Sequence, residues 1–113
     1  MPAHSINAVT LKKLLEEKKV LLIDVRRADE HAEMSIAGSL LIPMDTISQD
    51  KINNPNKLQI VIHCQSGRRS ALACNKLLEF NPDLELYNLE GGIEAWEEKG
   101  YEVVKAQQVR PSF

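Results

Sequence analysis

Cys64 stands where the apolar run Ile60-Val61-Ile62-His63 gives way to Gln65-Ser66-Gly67-Arg68-Arg69-Ser70, a polar turn with one glycine and two arginines, after which an apolar helical pattern begins. That order is strand, loop, helix. In an α/β sheet, ligands sit beyond the carboxyl ends of the strands, and a helix N-terminus there presents free N–H groups and the positive end of a dipole. A thiol in that place is a nucleophile for a substrate carrying negative charge. The N–H groups of Gln65 through Ser70 would converge on its sulfur as an anion-binding nest, with Gly67 letting the chain curl without a Cβ clash. Arginines and a helix start beside a thiol lower its pKa below the ordinary value of about 8.5, so thiolate is available at neutral pH. The same N–H groups can hold the charge of a bound anion or of a covalent sulfur adduct. A cysteine at a strand end can also be only a small buried hydrophobe. The glycine, the arginines and the helix start that follow Cys64 favour the nucleophile.

Other reactive side chains read differently. Cys74 lies on a helical stripe with Ala71, Leu77 and Leu78 and is expected to be inert core. His63 adjoins Cys64, so strand alternation points it to the opposite face and away from a general-base role. His4 and His31 fall in polar segments, are expected to be solvated, and have no metal-ligand spacing. Asp24 interrupts the run Val20-Leu21-Leu22-Ile23-Asp24-Val25 near its end, and the cost of burying a lone carboxylate predicts that it is paired at the mouth of the sheet. Arg26 and Arg27 follow it; solvated surface positions are their default, with the same mouth within reach. Trp96 shares a helical spacing with Ile93 and reads as core.

The elements that must position this chemistry alternate along the chain. Asn7 caps a helix with Leu11, Leu14 and Leu15 on one face, and the run from Val20 suits a parallel strand buried on both sides. A short polar helix is predicted over Ala28 to Glu33, then a turn and brief strand ending at Pro43, and a short helix over Asp45 to Lys51. After the central strand, Ser70 to Phe80 is helical up to Asn81-Pro82, Leu84 to Leu89 is a strand, and Gly91-Gly92 is a tight turn. A helix over Ile93 to Lys99 closes at Gly100, and Tyr101 to Val104 adds a terminal strand. Strands alternating with helices predict an α/β three-layer sandwich, a mainly parallel sheet with helices on both faces. Its 113 residues fit one domain over 1–105, with a flexible tail over 106–113. Net charge of −2 gives no global field for nucleic acid or an acidic membrane, so any anion site is local. There is no secretory signal or apolar stretch of membrane-spanning length, which makes the cytoplasm the default location. There both cysteines stay reduced.

Four segments together resemble the single-domain rhodanese family of sulfurtransferases. Leu22-Ile23-Asp24-Val25-Arg26 is similar to the family's first strand with its Asp-Val-Arg signature. Ile36-Ala37-Gly38-Ser39 with Ile42-Pro43 resembles its Gly-His-Ile-Pro-Gly-Ala segment. Cys64 through Ser70 is similar to the Cys-x-x-Gly-x-Arg-Ser loop, and Leu89-Glu90-Gly91-Gly92 with Trp96 and Gly100 resembles the closing motif. Met34-Ser35 stands where many relatives have Gly-His, so no role of that histidine transfers. The resemblance implies a rhodanese-like fold and a double displacement without metal or organic cofactor. Cys64 would take a sulfane sulfur from thiosulfate or a related donor as a persulfide. It would then pass that sulfur to cyanide or to a thiol such as a small thiol, thioredoxin or a sulfur-carrier protein. Residues 65–70 would bind the substrate, with Asp24, Arg26 and Glu30 in support. Arg69 matches the recurrent loop arginine and is expected to brace the loop by pairing with Asp24 or Glu30. Arg68, at a variable position, is the outward, substrate-facing charge. The loop is also similar to that of rhodanese domains preceding a membrane hairpin in some bacterial proteins, which leaves a freestanding enzyme and a cut domain both open.

Two other functions compete. Cysteine-dependent phosphatases and arsenate reductases use a similar cradle, but their loop requires Cys, five residues and then Arg; counted from Cys64 that place is Ser70, and Arg69 arrives one early. A non-catalytic module could keep the fold and lose turnover, against which the retained cysteine, glycine and arginines count.

Overall fold

The computed structural model describes residues 3–106, so the tail expected from residue 106 lies, beyond Ala106, outside the described residues. The chain runs β1 (His4–Ile6), α1 (Ala8–Glu16), β2 (Val20–Asp24), α2 (Ala28–Glu33), β3 (Met34–Ser35), β4 (Leu40–Leu41), a 3-10 turn at Gln49–Lys51, β5 (Gln59–His63), α3 (Arg68–Phe80), β6 (Leu86–Leu89), α4 (Gly92–Glu98) and β7 (Val104–Lys105). Five strands pair in the order β1-β6-β5-β2-β4, all parallel, while β3 and β7 form a separate antiparallel pair. This is the α/β sandwich the alternation of elements predicts.

Side-chain alternation divides the core in two. On one face Ile23, Ile62 and Cys64 pack with Ala73, Cys74 and Leu77 of α3. On the other, Leu22, Val61 and Leu89 pack with Leu11 of α1 and with Ile93 and Trp96 of α4. The continuous apolar runs of β2 and β5 therefore have a partner on each side, and each buried Leu or Ile contributes about 1.5–3 kcal/mol relative to exposure. Asn7 caps α1 as expected, its Oδ1 accepting the Thr10 N–H at 2.8 Å. α3 begins at Arg68, two residues earlier than predicted, because Gly67 adopts a left-handed φ of 100° and caps it.

Two expectations fail locally and one strand was not foreseen. No helix spans Asp45 to Lys51: the backbone N–H and the hydroxyl of Thr46 both bond back to the Pro43 carbonyl, Ser48 is extended, and only the 3-10 turn follows. β1 went unpredicted, since a three-residue edge strand with only Ile6 buried has no readable period. The terminal strand lies at Val104–Lys105 and pairs with β3, outside the main sheet.

The start of α4 lies close against the end of the central strand. Gly92 has φ of 59°, and a Cβ there would sit 2.5 Å from the carbonyl oxygens of Cys64 and Gln65. The contact lets Ile93 N–H donate to Cys64 O at 2.9 Å and Glu94 N–H donate to Gln65 O at 3.1 Å. Gly92→Ala combines left-handed strain with a backbone clash, so it should cost about 3 kcal/mol or more. Urea denaturation beside wild type checks this, and an unchanged midpoint would contradict the packing described.

Candidate active site

β5 is the central strand, and Cys64 is the first residue past its carboxyl end. Two N–H groups donate to the sulfur, Gly67 at 3.1 Å and Ser70 at 3.3 Å, and the Ser70 hydroxyl oxygen lies 3.3 Å from it. The left-handed turn at Gly67 makes this possible, because it reverses the chain so that N–H groups three and six residues on point back at Cys64. Burial pushes the thiol pKa up. The Ser70 hydroxyl and the N–H groups of Ser70, Gly67 and Ser66 more than offset it, and the net direction is down. Cys74 is the contrast: burial pushes it up to about 12, leaving an inert thiol as expected.

The loop side chains divide between bracing and exposure. Arg69 donates to both carboxylate oxygens of Glu30, at 2.6 and 2.9 Å, one of the two partners expected for it. Gln65 Oε1 accepts from Arg26 Nη1 at 3.2 Å, which ties that side chain to the support and away from the sulfur. Ser66 and Arg68 are exposed, and Arg68 forms no ion pair among the described residues. Ser70 is buried against the sulfur.

Behind the loop lies a buried charge network. Arg26, only 2% exposed, donates from Nε and Nη2 to Asp24 and from Nη2 to the Met34 carbonyl. Asp24 is thus paired as predicted, but the solvated default for Arg26 is wrong: its fork closes on a carboxylate two residues away, and burial follows from that pairing. Arg27 keeps its default place at the surface, paired with Asp29. His31 is a second correction, since its Nδ1 lies 2.9 Å from Asp24 Oδ2 where solvent was expected. The polar α2 turns one face inward to reach charge, and no apolar period could signal that. Burial raises the Asp24 pKa, yet the Arg26 bond, the field of His63 and the His31 bond bring it below the ordinary value. His63 lies across the sheet from Cys64, as alternation predicts, and burial pushes its pKa down, leaving no imidazole poised as base for the sulfur.

A cleft of about 770 Å³ lies between Thr46–Asp50 and the far end of α3 and touches no loop residue. Smaller clefts of about 370 and 270 Å³ flank the loop, both with Arg26 in their walls, the first also with Glu30 and Gln65 and the second with Arg69. Cys64, with its N–H donors and lowered pKa, makes the loop the candidate site. Among the described residues no three His, Cys, Asp or Glu side chains gather as a metal site. Asn88 escaped sequence reasoning, and Gly92 was read only as part of a tight turn and of the closing motif; a polar residue within the apolar segment Leu86–Leu89 was the available signal for Asn88.

A parallel sheet with a cysteine cradled by N–H groups beyond its central strand defines an α/β protein with a buried cysteine of lowered pKa at the sheet's mouth. Residues 7–99 match the rhodanese-like domain, and the chain belongs to that family. It is 37% identical over 93 residues to a protein named sulfurtransferase from Allochromatium vinosum, covering 82% of this chain and 86% of that one. Among solved structures it is similar to a rhodanese-like domain protein from Staphylococcus aureus, with TM-score 0.71, 40% identity and coverage of 88% and 96% of the two chains. It is also similar to a rhodanese-related protein from Thermoplasma volcanium, with TM-score 0.74, 36% identity and coverage of 89% and 97%.

The Arg69–Glu30 brace predicts a pH signature. Arg69 holds the Glu30 carboxyl down to about 2 from an ordinary 4.5. A lowered carboxyl pKa stabilises the fold fully above pH 4.5, and that stabilisation fades as pH falls toward 2. Arg69→Ala should therefore be less stable than wild type at pH 7, with the gap closing on acidification. Denaturation at stepped pH tests this; a gap independent of pH would contradict it.

Proposed function

We propose that this chain is a sulfurtransferase that carries sulfur on Cys64, with thiosulfate or a related sulfane compound as donor. The observation that carries the reading is the sulfur's surroundings: N–H donors from Gly67 and Ser70, and, among the described residues, no base hydrogen-bonded to it. Attack on sulfane sulfur needs no such base, since a standing thiolate suffices. The thiolate forms a bond to the outer sulfur of thiosulfate, the S–S bond breaks, and its electron pair leaves with sulfite. The persulfide that remains carries its charge on the outer sulfur, within reach of the N–H groups of the loop. An acceptor thiolate then attacks that outer sulfur and restores the Cys64 thiolate, while cyanide would leave as thiocyanate. Small thiols, thioredoxin or a sulfur-carrier protein are candidate acceptors, and a cytoplasmic setting suits them. No metal or organic cofactor enters either step. No helix among the described residues is long and apolar enough to cross a membrane.

Phosphatase chemistry is disfavoured by two features. The loop is one residue short before its arginine, and that arginine is already closed on Glu30. Arg68, exposed at the start of α3, is the charge left to meet an anionic donor.

Intact mass after incubation with thiosulfate tests the reading. One added sulfur atom, removed by a thiol, absent in Cys64→Ser and retained in Cys74→Ser, is expected. Hydrolysis of an aryl phosphate without sulfur uptake would favour the phosphatase, and neither activity would favour a non-catalytic module. Arg68→Ala should leave stability unchanged and raise KM for thiosulfate roughly fivefold, the worth of an exposed charge of up to about 1 kcal/mol. Loss of folding in that variant would reverse the roles given to the two arginines.

A further inference from the structure

Asn88 lies on β6 beside Ile62 of β5, and both ends of its amide reach into the catalytic loop. Its Nδ2 donates to the Gly67 carbonyl at 3.1 Å, and its Oδ1 accepts from the Ser70 hydroxyl at 2.5 Å. The first bond fixes which way the amide faces, because a carbonyl can only accept. The Ser70 oxygen is also 3.3 Å from Cys64 Sγ. A hydroxyl has one proton to give.

While the sulfur is a thiol, every group is satisfied: S–H donates to Ser70 Oγ, and Ser70 donates to Asn88. Once the sulfur is a thiolate, it and Asn88 Oδ1 are both acceptors facing the same proton. Either Ser70 turns to the sulfur and strips Asn88 of its donor, or the sulfur keeps only its backbone N–H bonds. We propose that Asn88 is a positioning residue that competes with Cys64 for the Ser70 proton, holding the sulfur nearer its thiol form than the N–H cradle alone would. When charge moves to the outer sulfur of a persulfide, the Ser70 proton can return to Asn88, so the pair acts as a reversible clamp on the charge at Sγ. This deepens the sulfurtransferase reading and rests on Cys64 as its nucleophile.

The test is a double-mutant cycle on the pH profile of Cys64 alkylation by iodoacetamide, followed by the mass of the Cys64 peptide. Alkylation reads the thiolate directly, so a protein that transferred no sulfur would still show the effect. Asn88→Leu frees the Ser70 proton for the sulfur and should lower the midpoint by about half a pH unit or more, the worth of one neutral hydrogen bond. In a Ser70→Ala background the same Asn88→Leu change should leave the midpoint where Ser70→Ala alone puts it. A purely structural role through the Gly67 carbonyl would instead move the midpoint equally in both backgrounds. Equal shifts, no shift or an upward shift in the Ser70-containing protein would each overturn the proposal. Should Asn88→Leu fail to fold, Asn88→Ala is read by the same criteria.

Discussion

The loop that follows Cys64 depends on the docking of the first turn of α4 against the end of β5. Ile93 and Glu94 donate their N–H groups to the carbonyls of Cys64 and Gln65, and those bonds fix the two peptide planes that leave the strand. With the carbonyls held toward α4, the chain turns through Gly67 so that later N–H groups face the sulfur. One helix start thus orients the carbonyls on one side of the loop, and another, that of α3, supplies donors to the thiolate on the other side. No side chain is tolerated at Gly92, where the two backbones touch. The cradle is therefore built from main chain, which costs no rotamer entropy and keeps its donors aimed before a substrate arrives.

Charge behind the loop does the remaining bracing. Asp24, Arg26 and His31 join the end of β2 to α2 and, through the Met34 carbonyl, to β3, while Gln65 connects the group to the loop. Removing one member of a buried ion pair leaves the other uncompensated and costs about 3–5 kcal/mol, so the network constrains the fold even where it adds little net stability. The two thiols show how much the donors matter. Both are buried, yet burial, with the field of Cys64 added, drives Cys74 up to about 12, whereas N–H groups and a hydroxyl bring Cys64 down.

Much of this was legible in the residues because it is local. Strand, loop and helix around Cys64 follow from an apolar run, a glycine and a helical stripe, and the loop's resemblance to the Cys-x-x-Gly-x-Arg-Ser pattern anticipated one exposed and one braced arginine. Asp24 could be read as paired because an acid inside an apolar run has few alternatives. What stayed hidden needed contacts distant in sequence. The approach of His31 to Asp24 and of Asn88 to the loop depends on how α2 and β6 sit against β2 and β5, and no periodicity encodes that. Arg26 is buried by a partner only two residues away, so its exposure was misjudged from residue type. The helix expected over Asp45 to Lys51 yielded to turn bonds that Thr46 makes with Pro43.

The central claim is that the backbone cradle brings the Cys64 pKa below the ordinary thiol value. Ultraviolet thiolate absorbance of the wild-type protein, with that of Cys64→Ser subtracted and followed across pH, reads this without any substrate. A single titration step with its midpoint well below the ordinary thiol value of about 8.5 is predicted. A midpoint at or above that value would contradict it.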